Sequence, residues 1–201
     1  PEMRADTAAL IAHEGWAPSA IVGHSAGAAI ALWLARSLPL RAVVAINGAL
    51  APFPGAAGWL FPVLAKLLAL NPLTALAFAR TATPANVRNL IESTGSRLDA
   101  EGLALYTRLL RDRSHVDGTL AMMAQWDVQP LIEALPRITT PVLLLAGEED
   151  RAVSPETARR AAARLPDAAL RCLPGLGHVM HEERPDIVAA EIRAFLGAPS
   201  V

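Results

Sequence analysis

The fold is decided by the stretch Ala20-Ile21-Val22-Gly23-His24-Ser25-Ala26-Gly27-Ala28-Ala29-Ile30, in which an apolar run meets a Gly-x-Ser-x-Gly motif and an alanine-rich run follows. This order predicts a strand, a tight turn and a helix, with Ser25 strained at the apex and its hydroxyl above the sheet. We expect Gly23 and Gly27 to be glycines because a Cβ at either position would collide with the neighbouring strand or helix. The alternative interpretation is a glycine-rich turn with an incidental serine.

The amino-acid composition limits the class of protein to which the chain can belong. The chain has 201 residues, of which 53% are hydrophobic, and a net charge of -1, which predicts a globular protein with a large core. Nucleic acid is not an expected partner because there is no basic excess. Cys172 is the only cysteine, so no intrachain disulfide is possible, and no supporting cluster of ligands predicts a metal site. No cofactor is expected. No targeting signal is recognisable, and we expect a cytoplasmic location.

Strand and helix patterns alternate over most of the chain. Continuous apolar runs, typical of a parallel sheet buried on both faces, occur at 19–22, 41–46, 141–147 and 169–173. Helices are predicted at 2–13, 27–37, 154–165 and 185–195. This alternation predicts the α/β class, with a mostly parallel sheet flanked by helices and joined by right-handed crossovers.

One long segment interrupts the alternation and has only helical patterns. Residues 52–136 are therefore predicted to be an all-helical cap inserted into a core formed by 1–51 and 137–201. Within the cap, the apolar segment 56–70 is too short to span a membrane and contains a lysine and a proline. It is expected either to roof an apolar pocket or to make a peripheral contact with a membrane surface.

Polar residues in the cap predict where two of its helices begin. Thr83 followed by Pro84 is an N-cap with proline at the first helical position, and Ser114 with Asp117 has the spacing of a capping box.

Six large side chains, five in the cap and one in the turn that carries Ser25, are candidates to line an apolar substrate pocket or simply to pack helix against helix. They are His24, Trp59, Phe61, Met122, Met123 and Trp126.

A serine hydroxyl needs a general base to act as a nucleophile at neutral pH. His178 follows the last predicted strand in the loop Pro174-Gly175-Leu176-Gly177, at the sheet edge where Ser25 must lie. His181 is the rival candidate three residues later. The backbone N–H of Ala26, at the start of the predicted helix, is expected to donate to the oxyanion.

The base in turn needs a carboxylate that orients it. Asp150 lies just beyond the strand predicted at 141–147 and is the preferred candidate, with Glu148 and Glu149 as rivals. An ordinary solvated acidic turn is the alternative interpretation. The chain order serine, aspartate, histidine is the order of the α/β-hydrolase nucleophile-elbow enzymes.

The elbow, the turn at 147–150 and the Gly177-His178 loop resemble the α/β-hydrolase family. The segments 47–50, 58–62, 94–99 and 122–127 further resemble the magnesium-chelatase accessory proteins of bacteriochlorophyll biosynthesis. The resemblance implies a role in tetrapyrrole metabolism in a photosynthetic bacterium, with a chelatase subunit as a partner. It also implies further strands before the elbow and a second oxyanion donor, and only 24 residues precede Ser25. We expect the 201-residue chain alone to fold poorly because its sheet edge is exposed.

Two functions from different classes follow. The first is a serine hydrolase that acts on an ester or thioester of an apolar small molecule; a serine nucleophile is unlike the carboxylate with which relatives of this fold open epoxides or remove halides. The second is a non-catalytic protein that binds a tetrapyrrole or docks on the chelatase and retains the triad. Five cap arginines could pair with propionates or only form solvated helix faces: Arg88, Arg97, Arg108, Arg111 and Arg113.

Overall fold

The computed structural model describes residues 2–52 and 80–197. Its sheet has four strands, all parallel, in the order β1-β2-β3-β4. The strands are β1 (Ala20–His24), β2 (Ala42–Ile46), β3 (Val142–Gly147) and β4 (Ala168–Leu173). Because all four run in the same direction, their carboxyl ends meet at one edge, where parallel sheets place their functional loops.

Ten helical segments surround or follow these strands in the described residues. They are α1 (Glu2–His13), α2 (Ala26–Leu34), α3 (Pro84–Ser93), α4 (Ala100–Arg111), α5 (Arg113–Ala124), α6 (Gln129–Ala134), the 3-10 turn Leu135–Arg137, α7 (Pro155–Ala162), α8 (Met180–Glu183) and α9 (Pro185–Leu196). None of the helices within the described ranges is long and apolar enough to cross a membrane.

The aliphatic side chains of the central strands form the core. Every residue of β2 and β3 is buried, as expected for strands covered by helices on both faces. One cluster joins Val44, Leu143 and Leu145 of these strands to Met180 of α8 and Val188 of α9. The last helices are thereby packed against the sheet, so the chain between β4 and α9 has both of its ends anchored.

The chain divides into two compact units, Pro1–Ala51 with Val128–Val201 and Pro52–Asp127. The first contains the sheet. In the second, α4 packs against α3 and α5, with Val87, Leu103 and Val116 among its buried residues. The cap boundaries expected from the sequence, 52 and 136, stay a prediction.

The helix N-caps in the structure confirm one prediction from the sequence and contradict another. Thr83 caps α3, since its Oγ1 accepts from Asn86 N at 3.2 Å, as predicted. The capping box at Ser114 and Asp117 is wrong, because α5 begins two residues before the expected position. Its N-cap is Asp112, whose Oδ1 accepts from the N–H groups of Ser114 and His115 at 2.9 and 3.3 Å. A carboxylate there satisfies two first-turn donors at once.

Candidate active site

Ser25 occupies the turn between β1 and α2 in a backbone conformation that residues with a side chain rarely adopt. Its φ is 52° and its ψ is -116°, which marks local strain. Its N–H donates to Ile46 O at 2.9 Å, and its carbonyl accepts from Ala28 N and Ala49 N. A serine at an N-cap normally accepts from the first turn of the helix, but Ser25 makes no such side-chain bond. Its hydroxyl is therefore not used to cap α2.

Ala26 is the first residue of α2. The N–H groups of a first helical turn have no acceptor within their own helix and lie at its positive end. The Ala26 N–H therefore has the chemistry of an oxyanion donor next to the Ser25 hydroxyl.

The two glycines that flank Ser25 differ in their surroundings. A Cβ on Gly23 would lie 2.3 Å from Gly27 O and 2.7 Å from Ala28 N, so only glycine fits there. Within residues 2–52 and 80–197, nothing would lie within 4 Å of a Cβ on Gly27, so the expected collision with a described strand or helix is wrong. The close approach between β1 and α2 is therefore made by the backbone of Gly27.

Asp150 and His178 form a hydrogen-bonded pair. His178 Nδ1 lies 2.8 Å from Asp150 Oδ2, and the Asp150 side chain has no exposed surface. The other oxygen of Asp150 accepts from Ala152 N and Val153 N, both at 2.8 Å. These two N–H groups hold the carboxylate in one orientation, and the bond to Nδ1 leaves Nε2 of the neutral ring unprotonated.

The rival carboxylates occupy a different environment. Glu148 and Glu149 are exposed, whereas Asp150 is buried. The turn that carries them contacts the histidine loop through its backbone, since Glu149 N donates to Leu176 O at 2.9 Å. A Cβ on Gly147 would lie 2.4 Å from Leu176 O, so the end of β3 must be a glycine for the loop to pass this close.

Asn47, which the sequence reasoning did not assign a role, lies between the two loops. It directly follows β2, is buried and has a φ of 44°. Its Oδ1 accepts from Gly147 N at 2.8 Å, and its Nδ2 donates to Gly177 O and His178 O at 2.9 and 2.8 Å. The one sequence feature that could have identified Asn47 is its position as an asparagine at the carboxyl end of a buried strand.

His24, expected in a substrate pocket, has its ring against the histidine loop. Its Nε2 lies 2.9 Å from His178 O, and its ring centroid is 4.7 Å from that of His178 and 4.4 Å from that of His181. Burial, with the nearby His181 and His178, lowers the pKa of His24 to about 4. The His24 ring is therefore neutral at neutral pH.

His181, the rival general base, lies on α8. Its Nε2 is 3.7 Å from Glu182 Oε1, and burial lowers its pKa. Its Nδ1 is buried and has no hydrogen-bond partner among the described residues. The oriented, carboxylate-bonded histidine of this edge is His178.

The remaining pocket candidates belong to the second unit. Trp59 and Phe61 lie outside the described residues, as does the segment 56–70. Met122 and Met123 are half-buried on α5, and Trp126 is half-buried just after it. All five cap arginines considered above are exposed. In the described parts of the chain, no group of three or more His, Cys, Asp or Glu side chains could hold a metal ion.

Known proteins share sequence with most of this chain. A family model described as the alpha/beta hydrolase family matches residues 2–191. The chain is 47% identical over 195 residues to a protein of Rhodobacter capsulatus called magnesium-chelatase 30 kDa subunit, covering 96% of this chain and 68% of that protein. It is 28% identical over 191 residues to epoxide hydrolase EphH of Mycobacterium tuberculosis, covering 90% of this chain and 87% of that protein.

The fold has a counterpart among solved structures. The esterase EaEST from Exiguobacterium antarcticum superposes with a TM-score of 0.74 at 14% sequence identity, covering 98% of this chain and 73% of the esterase. At this identity the likeness concerns the fold alone.

Proposed function

The chain belongs to the alpha/beta hydrolase family, and from that premise we propose that it is a serine hydrolase that transfers the acyl group of an ester or thioester to water. Membership confirms the family resemblance and the fold class predicted from the sequence, and the parallel sheet agrees with both. The observation that carries the proposal is the 2.8 Å bond between His178 and the buried Asp150. The strained Ser25 directly follows β1 at the same edge of the sheet.

The proposed reaction has two halves. His178 Nε2 takes the hydroxyl proton as Ser25 Oγ attacks the carbonyl carbon, and the Ala26 N–H stabilises the oxyanion. His178 then gives the proton to the leaving alcohol or thiol as its bond to carbon breaks. Water next loses a proton to His178 and attacks the acyl ester, and the Ser25 oxygen recovers a proton as it leaves. Asp150 holds the tautomer and stabilises the imidazolium that forms.

The nucleophile restricts the class of substrate. The elbow carries a hydroxyl, so the covalent intermediate is an ester on Ser25 rather than an ester on a carboxylate. We therefore propose acyl transfer for this chain, although one of its relatives is named an epoxide hydrolase. The proposed substrate class is an apolar ester or thioester.

A fluorophosphonate probe tests the proposal on the full-length protein. We expect one equivalent of label on Ser25, no label in Ser25→Ala, and labelling slowed at least about 100-fold in His178→Ala, because general-base catalysis contributes about 10²- to 10⁴-fold. His181→Ala is the comparison for the rival base and should slow labelling far less than His178→Ala does. A folded wild-type protein that does not label would overturn the proposal.

The 47% identity to a magnesium-chelatase subunit favours a pathway for the protein and also a second, non-catalytic candidate function. We propose that the protein acts in bacteriochlorophyll biosynthesis, in the cytoplasm, with a chelatase subunit as its partner. If it is a non-catalytic tetrapyrrole-binding or docking protein, Ser25→Ala should restore pigment to a photosynthetic bacterium that lacks its own homologue. If the hydrolase activity is the function, the same variant should fail although it is produced at the wild-type level.

A further inference from the structure

We infer that Asn47 and His24 are positioning residues for the general base, and that they act together on the main-chain carbonyl of His178. The inference rests on the proposed function, because it assigns His178 as the base. It concerns two side chains that bond to the main chain of the histidine loop and that lie at the carboxyl ends of two adjacent strands, β1 and β2.

Both hydrogen-bonding positions of one carbonyl oxygen are occupied by side chains. Asn47 Nδ2 lies 2.8 Å from His178 O, and His24 Nε2 lies 2.9 Å from the same oxygen. A carbonyl oxygen has two lone pairs, so two donors from different strands define its position in two directions. The backbone of His178 is thereby tied to the same sheet edge that carries Ser25.

Asn47 also bonds the segment that leads to Asp150. Its Oδ1 accepts from the N–H of Gly147, the last residue of β3. An amide is suited to this place because it carries an acceptor on one side and a donor on the other. Aspartate would bring a carboxylate oxygen against the two loop carbonyls. Asparagine also tolerates the left-handed backbone conformation, here with a φ of 44°.

His24 supplies a donor without a charge. Since a carbonyl oxygen only accepts, His24 Nε2 must carry its proton, and burial keeps the ring neutral by lowering its pKa to about 4. The His24 ring centroid lies 4.7 Å from that of His178. A positive charge so close would oppose the imidazolium that His178 must form. Asn47 and a neutral His24 both hold the loop without that repulsion.

Variants separate positioning from simple stability. Asn47→Ala and Asn47→Asp remove the amide donor, and His24→Phe keeps a ring of similar size without a donor, whereas His24→Gln restores an N–H. In the full-length protein we expect the fluorophosphonate labelling rate to fall about 10- to 100-fold in the first three, because displacement of a catalytic group by about 1 Å has effects of this size. His24→Gln should recover most of the rate.

The matched control is Asn86→Ala. Asn86 Nδ2 donates to the Thr81 carbonyl at 2.8 Å, so this variant loses the same kind of bond elsewhere in the chain. It should label like the wild type. Each rate is measured well below the unfolding temperature of the variant concerned, so that only folded molecules report.

A second readout does not depend on catalysis. The proton between His178 Nδ1 and Asp150 gives a low-field resonance in the NMR spectrum, and we expect it to shift or broaden in Asn47→Ala and His24→Phe but not in Asn86→Ala. Wild-type labelling rates together with an unchanged resonance would overturn the inference. If the wild type does not label, the proposed function fails, and the resonance alone decides whether the two residues position His178. If Asn47→Ala does not fold, the comparison of His24→Phe with His24→Gln tests the inference.

Discussion

A Cβ added to Gly23 would lie 2.3 Å from the main-chain oxygen of Gly27, so β1 and the first turn of α2 are in direct contact on the two sides of Ser25. This contact keeps the turn tight enough to hold Ser25 at a φ of 52°. The two glycines of the motif therefore have different roles, and substitution can separate them.

Gly23→Ala should destabilise the protein by about 3 kcal/mol or more, at or above the top of the roughly 1 to 3 kcal/mol range for overpacking, because the backbone it meets cannot move as a flexible side chain can. Gly27→Ala should be neutral or stabilising by up to about 1 kcal/mol, because alanine is the better helix former and its Cβ meets no atom of the described residues. Urea unfolding of both variants measures the difference. Equal destabilisation would contradict this account of the elbow.

Asp150→Asn should abolish most of the hydrolase activity. The amide could donate to His178 and so favour the wrong tautomer, and the corresponding change in a serine protease lowers kcat about 10⁴-fold. Glu148→Gln is the matched control because its side chain is exposed, and it should leave the phosphonate labelling rate unchanged. If Glu148→Gln loses the activity instead, the acid has been assigned to the wrong carboxylate.

His24 should make the folded protein less stable in acid. Its pKa is lowered from 6.5 to about 4 on folding, so between these values the unfolded chain binds more protons and stability falls as the pH falls. From pH 7 to pH 5 this group alone should remove on the order of 2 kcal/mol. His24→Gln does not titrate, and its unfolding free energy should fall by that much less over the same interval. Parallel pH profiles for the two proteins would refute the assignment.

Gly147→Ala should impair activity by displacing the loop that carries His178. Its Cβ would lie 2.4 Å from Leu176 O and 2.7 Å from Gly177 O, so the loop backbone has to move. The control is Gly118→Ala on α5, where a Cβ would have nothing within 4 Å among the residues that the structure describes. We expect the phosphonate labelling rate to fall at least about 10-fold in Gly147→Ala, in line with the sensitivity of catalysis to 1 Å displacements, and to stay unchanged in Gly118→Ala.

Local patterns were sufficient for much of the fold. The apolar runs predicted all four strands to within two residues, and the order of strand, Gly-x-Ser-x-Gly and helix predicted the elbow and its serine. Thr83 and Pro84 predicted the start of α3, and the helix predicted at 154–165 is α7, whose N-cap is Ser154. These features depend on residues close together in the chain, where backbone propensity and alternation of side chains act directly.

What only the tertiary structure decided depends on residues far apart in the chain. Asn47 bonds to Gly147 and to His178, 100 and 131 positions away, and no local pattern encodes such a partner. The same is true of His24, because the orientation of its ring depends on the loop after β4, whose His178 carbonyl it contacts. Gly27 was misjudged for a related reason, because the space around a Cβ is defined by the packing of neighbouring elements. A sequence specifies local conformation through short-range sterics, but hydrogen-bond partners across a sheet edge exist only once the strands are aligned.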